Sequence, residues 1–370
     1  MEKLTILILT SDPNSGSTKK LHEAIVKRGH DVSIHEPTDF YLLVSESSGN
    51  DRVYLKSKEE RLFAKSFDRV IVRIAGSMYG RNVLFHLSEN LNKFCTSKVN
   101  GISICSDKFL TSQVLSKNRI KTIKSILSTR ARQQNFGFLM GLLGSKFPAV
   151  LKILSGSQGT GITLLESEEA AGTAFESISH FGGPVILQRF INTKNEQDKS
   201  SDIRAFIVDG EVVVAMKRYS KAKQFRANYS ISAEGEKIEL TDEQKEIALN
   251  AAAACKSLGI CGVDLIQDQD GENYVVECNS NPGLKIQEVT GVNVVDKIID
   301  FVERGKLSKV TMDRYDKVRA SALIVDSQIA HQKRRAESDL ADSNIHSYSD
   351  EERRIRERNN KKLWGIKPTS

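Results

Sequence analysis

Residues 262–284 read Gly-Val-Asp-Leu-Ile-Gln-Asp-Gln-Asp-Gly-Glu-Asn-Tyr-Val-Val-Glu-Cys-Asn-Ser-Asn-Pro-Gly-Leu, a pattern of two strands joined by a polar turn. The Asp270-Gly271 pair, flanked by β-branched and aromatic residues, favours a β-hairpin. In such a hairpin Asp264 and Glu277 face each other across the ladder. Side-chain alternation puts Asn279 on the same face as Glu277. The stretch therefore predicts three oxygen donors that converge on one point.

The three donors define a candidate metal site. Carboxylate and amide oxygens suit Mg²⁺ or Mn²⁺, with nucleotide phosphates completing the coordination shell. Asp264, Glu277 and Asn279 are thus the candidate ligands. A surface hairpin with solvated acids has the same composition, so the hairpin by itself leaves both interpretations open.

The N-terminal part predicts an open parallel sheet. Residues 5–9 read as a buried strand, 17–28 as a helix and 31–35 as the next strand, which is the element order of such a sheet. A further strand over 67–73 leads into a loop at its carboxyl end, where ligands bind in these folds. We expect Arg73, Ser77 and Tyr79 near this loop to face a substrate.

Other segments carry weaker or more local signals. Residues 37–66 show little pattern, 82–93 are typical of a helix, and 97–104 read as a short connection. Ser106 or Asp107 is a suitable N-cap for a following helix. The predicted elements of the second half are strands over 148–154, 162–165 and 185–188, helices over 136–143 and 168–177, a hairpin of 202–208 with 211–216, a capping box at Thr241 and Gln244 that starts a helix, and a last helix over 293–303.

A glycine-rich loop lies between two of these strands. It comprises Gly156, Ser157, Gln158, Gly159, Thr160 and Gly161. Glycines let backbone N–H groups approach phosphate oxygens, and Lys152 adds a point charge just before the loop. No Gly-Lys-Ser/Thr follows, so the loop is not a P-loop. A flexible hairpin tip has a similar composition, and the loop alone does not distinguish the two.

Several charged residues are candidates to contact the same ligand. Lys108 and Lys152 come from different segments and are able to converge on one polyphosphate. Asp202 and Arg204 flank Ile203, so both point to the face opposite it. Lys217, Arg218 and Arg226 belong to a basic stretch that either is solvated or stabilises negative charge in a transition state.

Composition restricts the class of protein. The chain has 370 residues, a length that predicts two or three compact lobes, and 39% of the residues are hydrophobic. No apolar run reaches the roughly 20 residues that a membrane span needs. The five cysteines show no metal-ligand spacing and, without a recognisable signal peptide, are expected to be reduced thiols in a cytosol.

The last 65 residues differ from the rest. The segment 306–370 holds 15 Lys/Arg against 10 Asp/Glu, so it contributes +5 of the formal net charge of +7. Charge runs and little apolar periodicity indicate a linker with one or two solvated helices. Contact of this tail with RNA or a ribosome is the weaker interpretation, because the tail also holds many acids and few aromatic residues.

The order of the motifs resembles the ATP-grasp superfamily, and within it the RimK-type ligases that join glutamate to a carboxylate acceptor. The resemblance covers residues 1 to about 303. The segments that carry it are V-I-V-R-I-A-G-S (70–77), S-D-K (106–108), V-L-K-I-L-S-G-S-Q-G-T-G-I (150–162), D-I-R (202–204), F-R-A-N (225–228), G-V-D (262–264) and E-C-N-S-N-P-G-L (277–284).

The resemblance implies an α/β protein that is α+β in its ligase core. It places an open-sheet pre-ATP-grasp domain over 1–97, a central and lid subdomain over 98–187, a metal-binding subdomain over 188–305 and a charged, partly helical tail over 306–370. It also implies that the chain uses ATP and two Mg²⁺ or Mn²⁺ ions.

Site residues are implied in the same way. Lys108 and Lys152 match the two ATP-binding lysines, and residues 156–161 match the lid loop over the phosphates. Asp202 matches the ribose-binding acid. The hinge that reads the adenine edge corresponds to Gln188, Arg189, Phe190 and Ile191. The chain departs here, since family hinges often have an acid and an aromatic where this sequence has Arg189-Phe190.

Chemistry follows from the remaining matches. Arg226 and Asn228 lie near the γ-phosphate and metal, and Arg226, with Lys217 or Arg218, would stabilise an oxyanion. The candidate substrate contacts are Arg73, Ser77, Tyr79, Arg204 and Asn281. The expected reaction adds glutamate, or another amino acid, to a protein or peptide C-terminus through an acyl phosphate.

Two alternatives stay open from the sequence. One is a small-molecule ligase of the glutathione-synthetase or amino-acid-biosynthesis kind, since the same core serves both acceptors. The other is a non-catalytic ATP-binding scaffold that acts through its basic tail. The reduced cysteines lead us to expect a cytoplasmic location, and homo-oligomerisation is expected by analogy with the family.

Overall fold

The structure is a computed structural model. It describes residues 2–45, 52–62, 66–74, 76–128, 135–154, 161–179, 184–193, 199–220 and 234–322. The chain divides into two compact units, Met1–Val318 and Arg319–Ser370, and the sheets described below belong to the first. Among the described residues no helix has the length and apolar character to cross a bilayer.

The strands are numbered in chain order. They are β1 (Thr5–Thr10), β2 (Asp31–His35), β3 (Phe40–Leu43), β4 (Arg52–Leu55), β5 (Glu60–Arg61), β6 (Arg69–Arg73), β7 (Phe94–Cys95), β8 (Ser125–Ser128), β9 (Ala149–Ile153), β10 (Ile162–Leu165), β11 (Val185–Arg189), β12 (Ser201–Val208), β13 (Glu211–Tyr219), β14 (Glu234–Ile238), β15 (Ile260–Gln267) and β16 (Asn273–Asn279).

The helices are numbered likewise. They are α1 (Gly16–Lys27), α2 (Met78–Phe85), α3 (Val99–Ser106), α4 (Lys108–Lys117), α5 (Phe136–Leu143), α6 (Glu168–Ser179), α7 (Asp242–Ala254), α8 (Ile286–Thr290) and α9 (Val294–Arg304). A π-helical turn over His86–Asn90 extends α2, and residues 309–322 are helical.

The N-terminal sheet is parallel, with the order β2-β1-β6-β7. Its central strands are rich in Ile, Leu and Val because both faces are covered, as is usual for parallel sheets. Ile6 and Ile8 on one face belong to a core shared with α1 and α9, and Leu7 and Leu9 on the other face pack into a second core. The predicted open parallel sheet is confirmed.

An antiparallel four-stranded sheet follows, with the order β10-β9-β11-β8. Helices α5 and α6 cover it, and Phe136 and Phe175 meet edge to face at 5.3 Å between ring centroids. This arrangement leaves the opposite face of β9 and β11 available to line a cleft.

A five-stranded antiparallel sheet, β14-β13-β12-β15-β16, is formed within residues 201–279. One face, which we call the back face, packs on α7 through residues such as Ile203, Val263 and Leu265. The other, the front face, is apolar at one end, where Phe206 packs against α9, and charged at the end near Asp264. The alternation along β12 and β15 thus separates a core from a polar surface.

The hairpin of β15 and β16 has the predicted register. Asp264 pairs with Glu277 and Gly262 with Asn279, and the register shifts after Asp264 so that Leu265 pairs with Val275. The shift accommodates one extra residue on β16, and such bulges redirect side chains near functional sites. The predicted pairing of the two acids across the ladder is confirmed.

Three sequence predictions differ from the structure. Residues 97–104 are not a connection, because α3 occupies Val99–Ser106. The predicted helix over 82–93 begins earlier, at Met78, because Ser77 accepts a hydrogen bond from the Gly80 N–H and caps it. The weakly patterned residues 37–66 contain the small antiparallel sheet β3-β4-β5.

A short extension beyond α9 packs on the core. Asp209, with φ of 44° in the turn between β12 and β13, accepts hydrogen bonds from the Ser308 N–H and from the Thr311 hydroxyl at 2.8 Å. The Tyr315 hydroxyl accepts one from the Leu258 N–H. The part of the predicted tail up to residue 318 is therefore fixed to the first unit.

Candidate active site

The candidate active site is a cleft lined by both antiparallel sheets of the ligase core. It has a cavity volume of about 100 Å³ and is open to solvent. Its lining residues include Val150, Lys152, Ile162, Gln188, Arg189, Phe190, Ile191, Asp202, Asp264 and Val276. Apolar walls with a few convergent charges are typical of a ligand-binding site.

The hinge segment forms one wall of the cleft. Gln188 donates from Nε2 to the Ser125 hydroxyl at 2.8 Å, which fixes its side chain against β8. Arg189, at the position where family hinges often carry an acid, donates from Nη2 to the Tyr274 hydroxyl at 3.2 Å and lies over the Tyr274 ring. Arg189 Nε is buried and has no hydrogen-bond acceptor among the described residues.

Two lysines approach the carboxylates from the neighbouring sheet and helix. Lys152 is on β9, and Lys108 is the first residue of α4, where it donates to the Leu154 carbonyl at 3.5 Å. Burial lowers the pKa of Lys152 to about 8, with Glu277 opposing and Lys108 adding to that shift. Lys108, Lys152 and Glu277 are therefore close enough to influence one another electrostatically.

Two arginines hold the buried carboxylate of Asp264, which is 1% exposed. Arg204 donates from Nε and Nη2 to its two oxygens at 2.7 Å each, and Arg218 Nη2 lies 2.9 Å from Oδ2. Arg218 also donates to both oxygens of Asp202, at 2.5 and 2.8 Å. Such bidentate pairs fix planar groups in one orientation.

The charges of this network set its protonation. Burial alone would raise the pKa of Asp264, but Arg204 and Arg218 outweigh burial and hold it at about 2. Burial, and then the negative charge of Asp264, raise the pKa of Glu277. Burial also raises the pKa of Asp202, against the opposing charge of Arg218. Glu277 is thus the acid least compensated by its surroundings.

The donor set fits a hard divalent cation. Asp264 and Glu277 pair across the ladder, and Asn279 follows on the same strand. Within the described ranges no group of three or more His, Cys, Asp or Glu is spaced to hold a metal ion, so the amide of Asn279 and ligand oxygens would have to complete the shell. That composition is what Mg²⁺ bound with a nucleotide uses.

Arg73 and Asn281 join the N-terminal sheet to the turn after β16. Arg73 donates from Nη1 to the Pro282 carbonyl at 2.8 Å, and Asn281 donates from Nδ2 to the Arg73 carbonyl at 3.1 Å. The Asn281 Oδ1 atom is buried without a donor among the described residues. Burial lowers the pKa of Arg73 to about 10. Both candidate substrate residues thus lie beside Asn279.

Ser77 and Tyr79 have structural partners. Ser77 caps α2, and the Tyr79 hydroxyl donates to the Phe40 carbonyl at 2.6 Å. The neighbouring Gly76 packs against Ser106, since a Cβ at Gly76 would lie 2.2 Å from the Ser106 Cβ. The loop therefore touches the segment that leads into Lys108.

Lys217 and Arg218, the two alternative partners predicted for Arg226, lie on opposite faces of β13. Arg218 is paired with Asp202 and Asp264 on the front face. Lys217 is opposite Ile203 in the ladder and its Nζ lies over the Tyr219 ring at 5.5 Å. Neighbouring residues of a strand point to opposite faces, so Lys217 does not join the carboxylates.

Some candidate residues lie outside the described residues. They are Gly156, Ser157, Gln158, Gly159, Thr160, Arg226 and Asn228. Gly161 is described and has φ of 74°, and a Cβ there would lie 2.3 Å from the Ile153 side chain, so only glycine fits where the loop rejoins β10.

The sequence did not identify the partners of the arginines. Arg204 was expected to contact substrate and Arg218 an oxyanion, whereas both neutralise Asp264 in this structure. The available signal was the alternation on β12 and β13, which put Asp202, Arg204 and Arg218 on one face once the two strands paired.

The fold and this cleft define an ATP-grasp ligase, an enzyme that forms carbon–nitrogen bonds. The RimK-like ATP-grasp domain profile matches residues 105–302, and the RimK PreATP-grasp domain profile matches residues 4–102. The chain belongs to the RimK-like ATP-grasp family, which confirms the predicted resemblance.

Curated relatives cover the same region. A probable alpha-L-glutamate ligase from Histophilus somni (strain 2336) is 30% identical over 306 residues, which is 81% of this chain and 99% of the relative. One from Picosynechococcus sp. is 32% identical over 314 residues, 84% of this chain and 99% of the relative. Neither match covers the whole of this chain.

Solved structures share the fold. The ATP-grasp ligase PsnB in complex with a minimal precursor has a TM-score of 0.59 at 16% identity and covers 82% of this chain and 99% of PsnB. D-alanine–D-alanine ligase from Bacillus anthracis complexed with ATP has a TM-score of 0.58 at 18% identity, covering 86% and 100%. The predicted ATP-grasp fold is confirmed.

Proposed function

We propose that this ligase adds glutamate to the carboxyl group of a protein or peptide, with ATP as the phosphoryl donor and ADP as a product. The support for glutamate is the group of relatives named as probable alpha-L-glutamate ligases. The support for a peptide acceptor is the similarity in fold to a ligase solved with its precursor.

One observation carries the proposal. A half-buried acid, Glu277, and two lysines, Lys108 and Lys152, influence one another electrostatically, and Lys152 lines the cleft whose other wall is the hinge around Arg189. The lysines suit phosphate oxygens, and the carboxylates suit a cation bound to those phosphates. The apolar wall formed by Val150, Ile162 and Val276 suits a base.

The protein's own residues prepare the phosphoryl transfer. Lys108 and Lys152 would hold the polyphosphate, and the backbone of residues 188–191 would hold the base. The acceptor carboxylate would attack the γ-phosphorus, giving an acyl phosphate and ADP. Glutamate's amine would then attack the acyl carbon, and phosphate would leave. Positioning and charge stabilisation contribute most of the rate in phosphoryl transfer.

A divalent cation would be held by Asp264, Glu277 and Asn279. When bound, it neutralises the charge that develops on the transferred phosphoryl group. Arg204 and Arg218 keep both oxygens of Asp264 in a fixed plane, which positions one side of that shell. Two ions, Mg²⁺ or Mn²⁺, are proposed by resemblance to the family.

The acceptor and glutamate are proposed to enter beside Arg73 and Asn281. Arg73 remains cationic with a pKa of about 10, and it lies against the turn that follows Asn279. Arg226 and Asn228 are proposed to contact the γ-phosphate and the oxyanion, as the family motif implies.

ADP release tests the proposal. Purified protein is incubated with ATP, Mg²⁺, glutamate and a mixture of peptides, and ADP is measured by a coupled assay. We expect release that requires both glutamate and a peptide, and a peptide product that is heavier by glutamyl residues in mass spectrometry.

Substitution of the acceptor distinguishes the alternative ligase. If small amino-acid acceptors support full ADP release and peptides do not, the protein is a small-molecule ligase. ADP release that needs neither glutamate nor an acceptor would contradict both. Glu246→Gln, at a half-buried acid of α7 that pairs with Arg314 and Lys317 and does not line the cleft, is the matched control for substitutions of Glu277.

A further inference from the structure

Four of the five cysteines come together behind the active site, although the sequence showed no spacing that joins them. Cys105 lies near the end of α3, Cys255 caps the C-terminus of α7, Cys261 is on β15 and Cys278 is on β16. They belong to the core on the back face, where three are fully buried and Cys105 is half-buried.

The thiols contact one another. Cys255, Cys261 and Cys278 belong to one buried core and Cys105 packs against it, so that the thiols of Cys105 and Cys278 each interact with those of Cys255 and Cys261. The Ser257 hydroxyl joins the group through Cys105 and Cys261. Each thiol therefore has more than one thiol neighbour.

The backbones of α3 and the end of α7 approach closely where Cys105 and Cys255 face each other. A Cβ at Gly101 would lie 2.4 Å from the Lys256 carbonyl oxygen and 3.6 Å from that of Cys255. Cys105 lies one turn after Gly101 and so on the same face of α3. The missing Gly101 side chain allows the two helices to bring these cysteines into contact.

The cluster does not have the spacing of a metal site. All four cysteines are among the described residues, and none of the His, Cys, Asp and Glu groups there is arranged to hold a metal ion. Thiol chemistry is therefore the chemistry that this arrangement supports. Hydrogen bonds from Cys105 and Cys278 lower the pKa of Cys255 to about 6, which favours its thiolate, the reactive form.

We propose that Cys105 and Cys255 are an oxidation site, at which a peroxide converts the two thiols into a disulfide. The Cys255 thiolate attacks one peroxide oxygen, the O–O bond breaks, and a sulfenic acid and hydroxide form. The Cys105 sulfur then attacks the Cys255 sulfur, the S–O bond breaks, and the oxygen leaves as water. With hydrogen peroxide, two thiols give one disulfide and two waters.

The half-buried Cys105 gives a small neutral oxidant access to its neighbour Cys255, whereas Cys255, Cys261 and Cys278 are themselves fully buried. Cys95 is the internal reference. It is buried in the separate core of the N-terminal sheet, and burial raises its pKa to about 12. It should react slowly under the same conditions.

Peptide mapping tests the proposal on the full chain. Reduced protein is treated with hydrogen peroxide, alkylated, digested without reductant and measured by mass spectrometry. We expect a peptide pair linked through Cys105 and Cys255, reversed by dithiothreitol, and oxidation of Cys255 at least about tenfold faster than of Cys95. Cys95→Ser should leave the linked pair unchanged.

Cys255→Ser should remove the link and slow the loss of the Cys105 thiol by about tenfold. If that variant does not fold, the wild-type chain tests the proposal instead. The rates at which its individual cysteines lose their free thiols are compared in one sample, because the alkylation of each cysteine is measured separately. The proposal is overturned if Cys105 and Cys255 stay free at peroxide doses that oxidise Cys95. It is also overturned if the only disulfides join two chains.

Discussion

The two faces of the five-stranded sheet differ although they share every strand. On the front face, the carboxylates of Asp202 and Asp264 contact Arg204 and Arg218 directly, at 2.5 to 2.9 Å. The back face holds Ile203, Val263 and Leu265 against α7. Strand alternation alone assigns neighbouring residues to such different surroundings.

This difference separates the residues that stabilise the fold from those that are proposed to act on ligands. Back-face residues stabilise the fold by burying apolar surface, a contribution that does not depend on ligands. Front-face residues keep charged groups away from water, and the loss of hydration destabilises the folded state unless each charge is paired. Glu277 is the exception, because its 3.8 Å separation from Arg204 leaves its charge only partly compensated. A bound cation is what this position favours.

The largest expected effect is on catalysis. Glu277→Gln should lower ADP release by about 10²- to 10³-fold, since the proposed cation site would lose a charged ligand, while the unfolding free energy changes little. Steady-state kinetics and urea unfolding measure the two quantities. Turnover within twofold of wild type would remove Glu277 from the proposed site.

The second prediction concerns the paired charges. Arg218→Met should lower the free energy of unfolding by about 3–5 kcal/mol, because Asp202 loses both its hydrogen bonds from Arg218 and Asp264 keeps only Arg204. Urea denaturation measures this. Lys20→Ala, which removes a surface pair with Glu288, should cost less than about 1 kcal/mol. Equal losses in both variants would show that the network is not a buried ion-pair system.

The back face gives the converse case. Leu265→Ala removes a fully buried side chain and should cost about 2–5 kcal/mol, while the kcat of the folded enzyme stays near wild type. Val289→Ala, at a side chain that is 43% exposed, is the control and should be nearly neutral. A large fall in kcat for Leu265→Ala below its unfolding transition would show that the two faces are not independent.

The smallest expected effect is a pH dependence of nucleotide binding. Lys152, with a pKa of about 8, is mostly protonated at pH 7 and mostly neutral at pH 9, and only the protonated form attracts phosphate. Affinity should therefore weaken by at most about tenfold over this range, as the protonated fraction falls. Calorimetric titration measures the Kd. Lys152→Gln should bind nucleotide weakly, with an affinity that no longer changes with pH. Lys237→Gln, at an exposed lysine, should behave as wild type.

The sequence predicted those elements whose formation depends on residues close together along the chain. The Asp270-Gly271 turn fixed the register of β15 with β16, and the Thr241 and Gln244 capping box starts α7 where expected. Helix α3 was missed because Val99, Gly101 and Ile102 have low helix propensity, and the close approach of Gly101 to Lys256 joins distant parts of the chain. No pattern within residues 97–104 reports such a contact.

The sequence by itself determined the order of strands and helices, the pairing of Asp264 with Glu277 and membership of the motif family, because each depends on neighbours along the chain or on the motifs themselves. The tertiary structure decided which charges meet. Arg218 sits over Asp264 only because β12 lies between β13 and β15, and the four cysteines meet only where α3, α7 and the sheet converge. Long-range packing sets these distances, and a one-dimensional pattern does not contain them.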